Sequence, residues 1–167
     1  MLARLGVGAL DVDQVVSAFR GVVDFTRARV GHEVEAVLGP DERLEWFRYV
    51  VGPEDAYIAF RIGPGEMFGY REYIPVRVDT VLVRGQLEVS LYLTMKAAGE
   101  KDWLALTMAD IFAWDIDFFT EPRKGDRFSL VVEKRYVDGE WVGYGRVLGA
   151  EYVQVDGDRF EAFRYTF

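Results

Sequence analysis

The chain has 167 residues, enough for one ordinary domain or two small ones, and half of them are hydrophobic with 15% aromatic, which excludes a disordered chain. Lys and Arg number 20 against 28 Asp and Glu, a formal net charge of −8 with the basic residues scattered singly, so the electrostatic footprint for gripping nucleic acid is missing. Cysteine is absent, which removes disulfides, thiolate nucleophiles and thiolate metal sites, and no apolar run reaches the roughly 18–20 residues that span a bilayer.

Met1 to Leu10 carries Leu2, Leu5, Val7 and Leu10 around one Arg and is broken by Gly6 and Gly8. It is too short and too interrupted for a secretory h-region, and no export signal is expected. Asp11 is a candidate N-cap, and Val12, Val15, Val16, Phe19, Val22 and Val23 behind it make one apolar helical stripe. Gly31 closes the connection, and Glu33 to Leu38 alternates as a strand. Gly39-Pro40-Asp41-Glu42 is turn chemistry, and Arg43 to Val51 returns as the second arm of a hairpin. After the turn Gly52-Pro53-Glu54-Asp55, Ala56 to Ile62 reads as a third strand.

Gly63-Pro64-Gly65, with Gly69 behind it, is the densest cluster of breakers, and the boundary between two units is expected there. Tyr73 to Val83 reads as a strand that Gly85 bends. Ser90 is a candidate cap for a short helix through Ala98, closed by Gly99 at C′. Asp102 is read as the cap of a further helix with Leu104, Met108, Ile111 and Phe112 on its stripe. Phe128 to Val137 is a strand, Asp138-Gly139 a two-residue hairpin signal, and Trp141 to Val155 a long strand bent by Gly143, Gly145 and Gly149. Asp156-Gly157 turns the chain into a last strand, Arg159 to Phe167.

Two passages match in order. Phe19 leads through Asp24-Phe25-Thr26-Arg27 to Gly31 and a hairpin ending in Trp46; Phe112 leads through Asp117-Phe118-Phe119-Thr120 to Gly125 and a hairpin with Trp141 past its turn. The aspartate-to-glycine spacing differs by one residue. The expectation is an α+β fold of two small units, 1–66 and 67–167, each with short helices followed by antiparallel β-hairpins, related by an internal duplication.

Catalytic chemistry has little to build on. His32 is the one histidine, and with no cysteine it cannot make a first-row metal site by itself. A Ser-His-Asp arrangement needs His32 to meet Ser17, Ser90 or Ser129, none in a nucleophile-elbow context. Asp110, Asp115 and Asp117 could form a glycosidase pair or a cation site, but local backbone capping accounts better for Asp115 and Asp117, with Asp24 in the same role. The glycines between Gly139 and Gly149 lack the helix that a phosphate loop requires. Trp46, Trp103, Trp114, Trp141, Tyr144 and Tyr152 could form a sugar-stacking face, or simply core. Phe160, Phe163, Tyr165 and Phe167 make an apolar C-terminal run that points to a downstream partner domain. No catalytic, cofactor-binding or metal residue is assigned.

Leu106 to Phe128, continued by Tyr136 to Glu140, Gly143-Tyr144-Gly145, Ala150-Glu151-Tyr152 and Phe160 to Tyr165, resembles the second N-terminal domain of lysostaphin-like (LytM-type) murein endopeptidases. Gly85-Gln86-Leu87, Ser90-Leu91-Tyr92 and Ala97-Ala98-Gly99 look like the opening of that domain, so the resemblance covers roughly Val76 to Phe167. Residues 1–62 look like the preceding LysM-related, opacity-associated domain, with Met1 to Leu10 resembling its middle, which makes the first unit N-terminally incomplete. Enzymes of this type are exported zinc peptidases that cut peptide cross-links in peptidoglycan, with zinc held by a His-x-x-x-Asp and a His-x-His motif in a later domain. This chain has neither motif, so no ligand carries over.

The resemblance implies a non-catalytic regulatory or targeting region that covers or positions a peptidase domain, in cis or in trans. The alternative is a stand-alone module that binds peptidoglycan or an envelope protein. Zinc is expected only in the absent catalytic domain, and the implied location is the periplasm or cell envelope. A fragment, a split gene and a stand-alone accessory protein remain open.

Overall fold

The computed structural model describes residues 6–165, so Leu2, Leu5 and Phe167 of the terminal apolar runs lie outside the described residues. The chain divides into two α+β units, one running up to Val76 and including Val137–Glu140, the other made of Arg77–Tyr136 and the chain from Trp141 onward.

In the first unit, α1 (Ala9–Ala18) and a 3-10 turn (Phe25–Arg27) precede β1 (Glu33–Leu38), β2 (Leu44–Gly52), β3 (Asp55–Gly63) and β4 (Glu66–Arg71). The four strands form an antiparallel meander in sequence order. Alternation decides which face α1 covers: Phe47, Tyr49, Ala59 and Met67 point into the core with Val15 and Phe19 of the helix. The helix end sits so close to β4 that a Cβ on Gly69 would lie 2.8 Å from the Ala18 carbonyl oxygen, which is why glycine stands there.

Gly63-Pro64-Gly65 is therefore a hairpin turn inside this unit and not the boundary between units. Gly63 pairs with Glu66, and Gly65 takes a positive φ of 77°. The boundary expected at residues 66/67 moves to the stretch after β4, because β4 completes the first sheet. Asp11 is not the N-cap either. Gly8 holds that position, and Asp11, 2% exposed in the first turn, accepts from the Leu44 amide at 3.3 Å and from Arg43 and Arg61 at 3.2 and 2.9 Å. These bonds tie helix to sheet, and the positive end of the helix dipole favours the carboxylate's charge there.

The second unit runs β5 (Arg77–Gln86), α2 (Leu91–Ala97), α3 (Asp102–Ile111), β6 (Arg127–Val137), β7 (Glu140–Val153) and β8 (Arg159–Phe163), with its antiparallel sheet in the order β5-β6-β7-β8. Ser90 caps α2 as expected, its hydroxyl accepting from the Leu93 amide at 3.2 Å. Gly99 then ends it at φ 82°, with the Glu100 amide donating back to the Met95 carbonyl at 3.0 Å. Lys101, and not Asp102, is the N-cap of α3, a one-residue difference. The two helices cover one face of the sheet, and Leu91, Met95, Leu104 and Met108 meet Leu130, Val132, Ala150 and Tyr152 in the core.

Gly85 does not bend β5, which stays in register with β6 from Arg77 to Gln86. Its role is close approach: a Cβ there would lie 2.9 Å from the Phe128 ring. Asp138 and Gly139 both take positive φ, 51° and 86°, and make the tight turn between β6 and β7. The α+β reading with two antiparallel sheets holds. In the second unit β5 comes before the helices, whereas among the described residues the first unit opens on α1.

Candidate functional site

The acidic trio does not converge on a site. Asp117 is a cap: its Oδ1 accepts from the Phe119 amide at 2.9 Å and its Oδ2 from the Thr120 hydroxyl at 2.8 Å. Asp24 repeats the arrangement with the Thr26 amide at 3.0 Å and the Thr26 hydroxyl at 2.5 Å. Both carboxyls lie below the ordinary aspartate range, Asp24 through its Thr26 bonds and Asp117 chiefly through the Phe119 amide. Asp115 contributes only its backbone amide, donated to the Phe112 carbonyl at 2.9 Å, and Asp110 is exposed on α3.

His32 is held locally, its Nδ1 2.6 Å from the Tyr49 hydroxyl. It lines a hollow of about 330 Å³ with Asp24, Tyr49, Asp55 and Tyr57. Ser90 is spent on its helix cap, and the Ser129 hydroxyl donates to Glu151 at 3.2 Å. Among the described residues, no group of three or more His, Cys, Asp or Glu side chains stands together in a way that could hold a metal ion.

The six aromatics proposed for one face are distributed over several places. Tyr152 is fully buried, and its hydroxyl donates to Asp126 at 2.7 Å; burial and that carboxylate push its pKa upward. Trp114 is 99% exposed, and Trp46 lies on the outer face of the first sheet. Three of the six do meet. Trp103 stacks on Tyr144 with centroids 5.1 Å apart, and Trp141 meets the same ring edge-on at 5.2 Å. The Tyr144 hydroxyl donates to Glu100 at 2.6 Å and accepts from the Lys101 amide at 2.9 Å, while Lys134 bonds the other Glu100 oxygen at 2.8 Å and sits 4.6 Å over Trp141. Burial, then Glu100, raises the Tyr144 pKa. The phenol stays neutral and rigid.

Trp103 also forms a wall of an open groove of about 480 Å³ between α3 and β7, with Ile111, Val147, Phe163 and the arginines 146 and 164. Arg146 grips Glu133 through Nε and Nη2 and donates its own amide at 2.9 Å, which holds the Glu133 carboxyl down to about 2. The groove is amphipathic and carries no reactive constellation.

A second surface went unread in the sequence. On the face of the first sheet opposite α1, Phe60, Phe68 and Tyr70 cluster with centroids 5.9–6.4 Å apart, and Trp46 stands across from Phe60. Phe68 is 52% exposed. The signal is the alternation Met67-Phe68-Gly69-Tyr70, hidden because Gly69 reads with Gly63-Pro64-Gly65 as part of the boundary between units.

No family profile matches the chain. The fold, however, is found within peptidases. A zinc-containing peptidase from Vibrio cholerae matches with a TM-score of 0.76 at 19% identity, covering 96% of this chain and 49% of that one. Helicobacter pylori Csd3 matches in two crystal forms with TM-scores of 0.60 and 0.63 at 15% and 14% identity, over 80% of this chain and 36% of Csd3.

The sequence relationship is more particular. Peptidoglycan DD-endopeptidase ShyC of Vibrio cholerae serotype O1 is 35% identical over 124 residues, 73% of this chain and 28% of ShyC. The chain thus corresponds to the N-terminal region of lysostaphin-like murein endopeptidases, as its motifs imply, and spans less than half the length of each of these proteins.

Proposed function

We propose that this chain is a regulatory or targeting region of a bacterial cell-wall zinc endopeptidase, which covers or positions the peptidase domain. The observation that carries the reading is the 35% identity to a peptidoglycan DD-endopeptidase over most of the chain. The single His32 supports it: the residues that would hold zinc belong to a peptidase domain, in cis or in trans, and the groove beside Trp103 offers that domain an amphipathic surface. The working place is the periplasm or cell envelope, where peptidoglycan lies. Among the described residues no helix is long and apolar enough to cross a membrane.

The test is kinetic. Adding the purified chain to the endopeptidase domain of ShyC slows cross-link cleavage, and an unchanged rate at saturating chain sinks the proposal. A second reading, a stand-alone module that binds peptidoglycan, is favoured by the exposed Phe60, Phe68 and Tyr70 face. It requires the chain to pellet with purified sacculi above a control protein of equal charge.

A further inference from the structure

The fold assembles a cationic hollow that the scattered basic residues of the sequence do not announce. On the face of the second sheet away from the helices, Arg84 of β5, Arg127 of β6 and Arg159 of β8 line one concavity of about 720 Å³. Glu151 is the one carboxylate in that lining, and it is taken up by Arg159 and by the Ser129 hydroxyl. Arg159 also pairs with Glu161. Arg84 and Arg127 are exposed, and among the described residues neither has an ion pair or a hydrogen-bonded side-chain partner. Two guanidiniums thus stand unneutralised on neighbouring strands of a chain with net charge −8, in which Arg48, Arg61 and Arg146 all hold carboxylates. Their mutual repulsion gains nothing for the fold.

The register gives the spacing. Arg84 pairs with Ser129 and Gln86 with Arg127, so the two arginines are diagonal neighbours on one face. Diagonal positions of an antiparallel pair lie about 7–8 Å apart. A guanidinium fork takes a carboxylate bidentately, and Leu82 and Val153 supply apolar walls for the peptide between.

We infer that this hollow binds the peptide portion of peptidoglycan through two of its carboxylates, one on Arg84 and one on Arg127. The inference rests on the cell-wall reading above and names the part of the polymer that the second unit holds: the carboxylate-bearing peptide, not the glycan.

The test is a calorimetric titration of the whole chain with soluble muropeptides released from sacculi by muramidase. Saturable binding is expected, weakening as salt rises, and at least fivefold weaker in the double variant Arg84→Gln/Arg127→Gln. Both side chains are exposed, and an unchanged melting curve confirms that the variant folds. Equal binding by the variant overturns the inference, as does equal binding of peptide-free glycan. An acidic protein-type peptide of the same length that binds as tightly overturns the assigned source. The titration reports on the peptide alone and the rate measurement on the peptidase, so either reading can fail while the other stands.

Discussion

Tyr152→Phe removes a single oxygen from the centre of the second unit. The Tyr152 hydroxyl donates to Asp126 Oδ2 at 2.7 Å, and Asp126, 1% exposed, also accepts from the Arg123 and Val155 amides at 2.8 Å each. The phenyl ring of the variant keeps the space filled and its edge-on contact with Phe118 at 5.1 Å, so no cavity adds to the cost. What is lost is a buried hydrogen bond to a charged acceptor, about 1.5–3 kcal/mol. With a urea m-value of about 2 kcal/mol per molar, the midpoint falls by about 1 M. Three of the four tryptophans, Trp103, Trp114 and Trp141, lie in the second unit, so tryptophan fluorescence reports mainly on it. Asp126→Asn costs more, because it weakens all three bonds. The double variant separates the pair term, and a coupling of about 1.5 kcal/mol or more is expected. A midpoint shift under about 0.25 M for Tyr152→Phe, or strict additivity with Asp126→Asn, would refute the reasoning.

Gly69→Ala drives a methyl group into the Ala18 carbonyl at the end of α1 and costs about 1–3 kcal/mol by overpacking; chemical denaturation showing less than about 0.5 kcal/mol means that β4 does not lie against the helix. Acid sensitivity follows from Glu133, whose carboxyl is lowered from 4.5 to about 2 by Arg146. A depressed carboxylate adds stability that is complete above the unfolded value and is lost as pH falls from about 4.5 toward 2. Glu133→Gln therefore flattens the acid limb of a urea-midpoint-against-pH curve, and an unchanged limb contradicts the assignment. Trp114→Ala, at a 99% exposed position, leaves the melting temperature where it was; a shift beyond that of about 0.5 kcal/mol shows that the residue is covered in solution.

Much of the fold was legible because local chemistry and period agreed. Glu33–Leu38 alternates, Ser90 caps, Gly99 terminates and Asp138-Gly139 turns, each as its residue type dictates. The misreadings share a cause, which is that a residue with two chemical uses was assigned the local one. Asp11 is a good N-cap residue, yet Arg61, distant in sequence, makes burial in the first turn the better solution. Gly85 is a good bending residue, yet the Phe128 ring across the strand makes close approach its function. Gly63-Pro64-Gly65 is good linker chemistry and equally good hairpin chemistry, and only the pairing of Glu66–Arg71 with β3 separates the two. The hollow at Arg84 and Arg127 was out of reach for the same reason, since strand register brings together residues far apart in the sequence.

The aspartate-led joints show why such a chain is identified by its architecture and not by a site. At Asp24 and Asp117 the same short side chain satisfies a turn amide and a threonine hydroxyl where a helical segment gives way to a hairpin. Nothing reacts there, yet the geometry constrains residue type at several neighbouring positions at once: an acceptor, a hydroxyl and an apolar residue to anchor the turn. A catalytic motif constrains sequence through chemistry, and a joint constrains it through backbone satisfaction. The resemblance to murein endopeptidases was carried largely by the stretch from Leu106 to Phe128, which contains the second joint. Repetition of the joint in the first unit is what an internal duplication predicts.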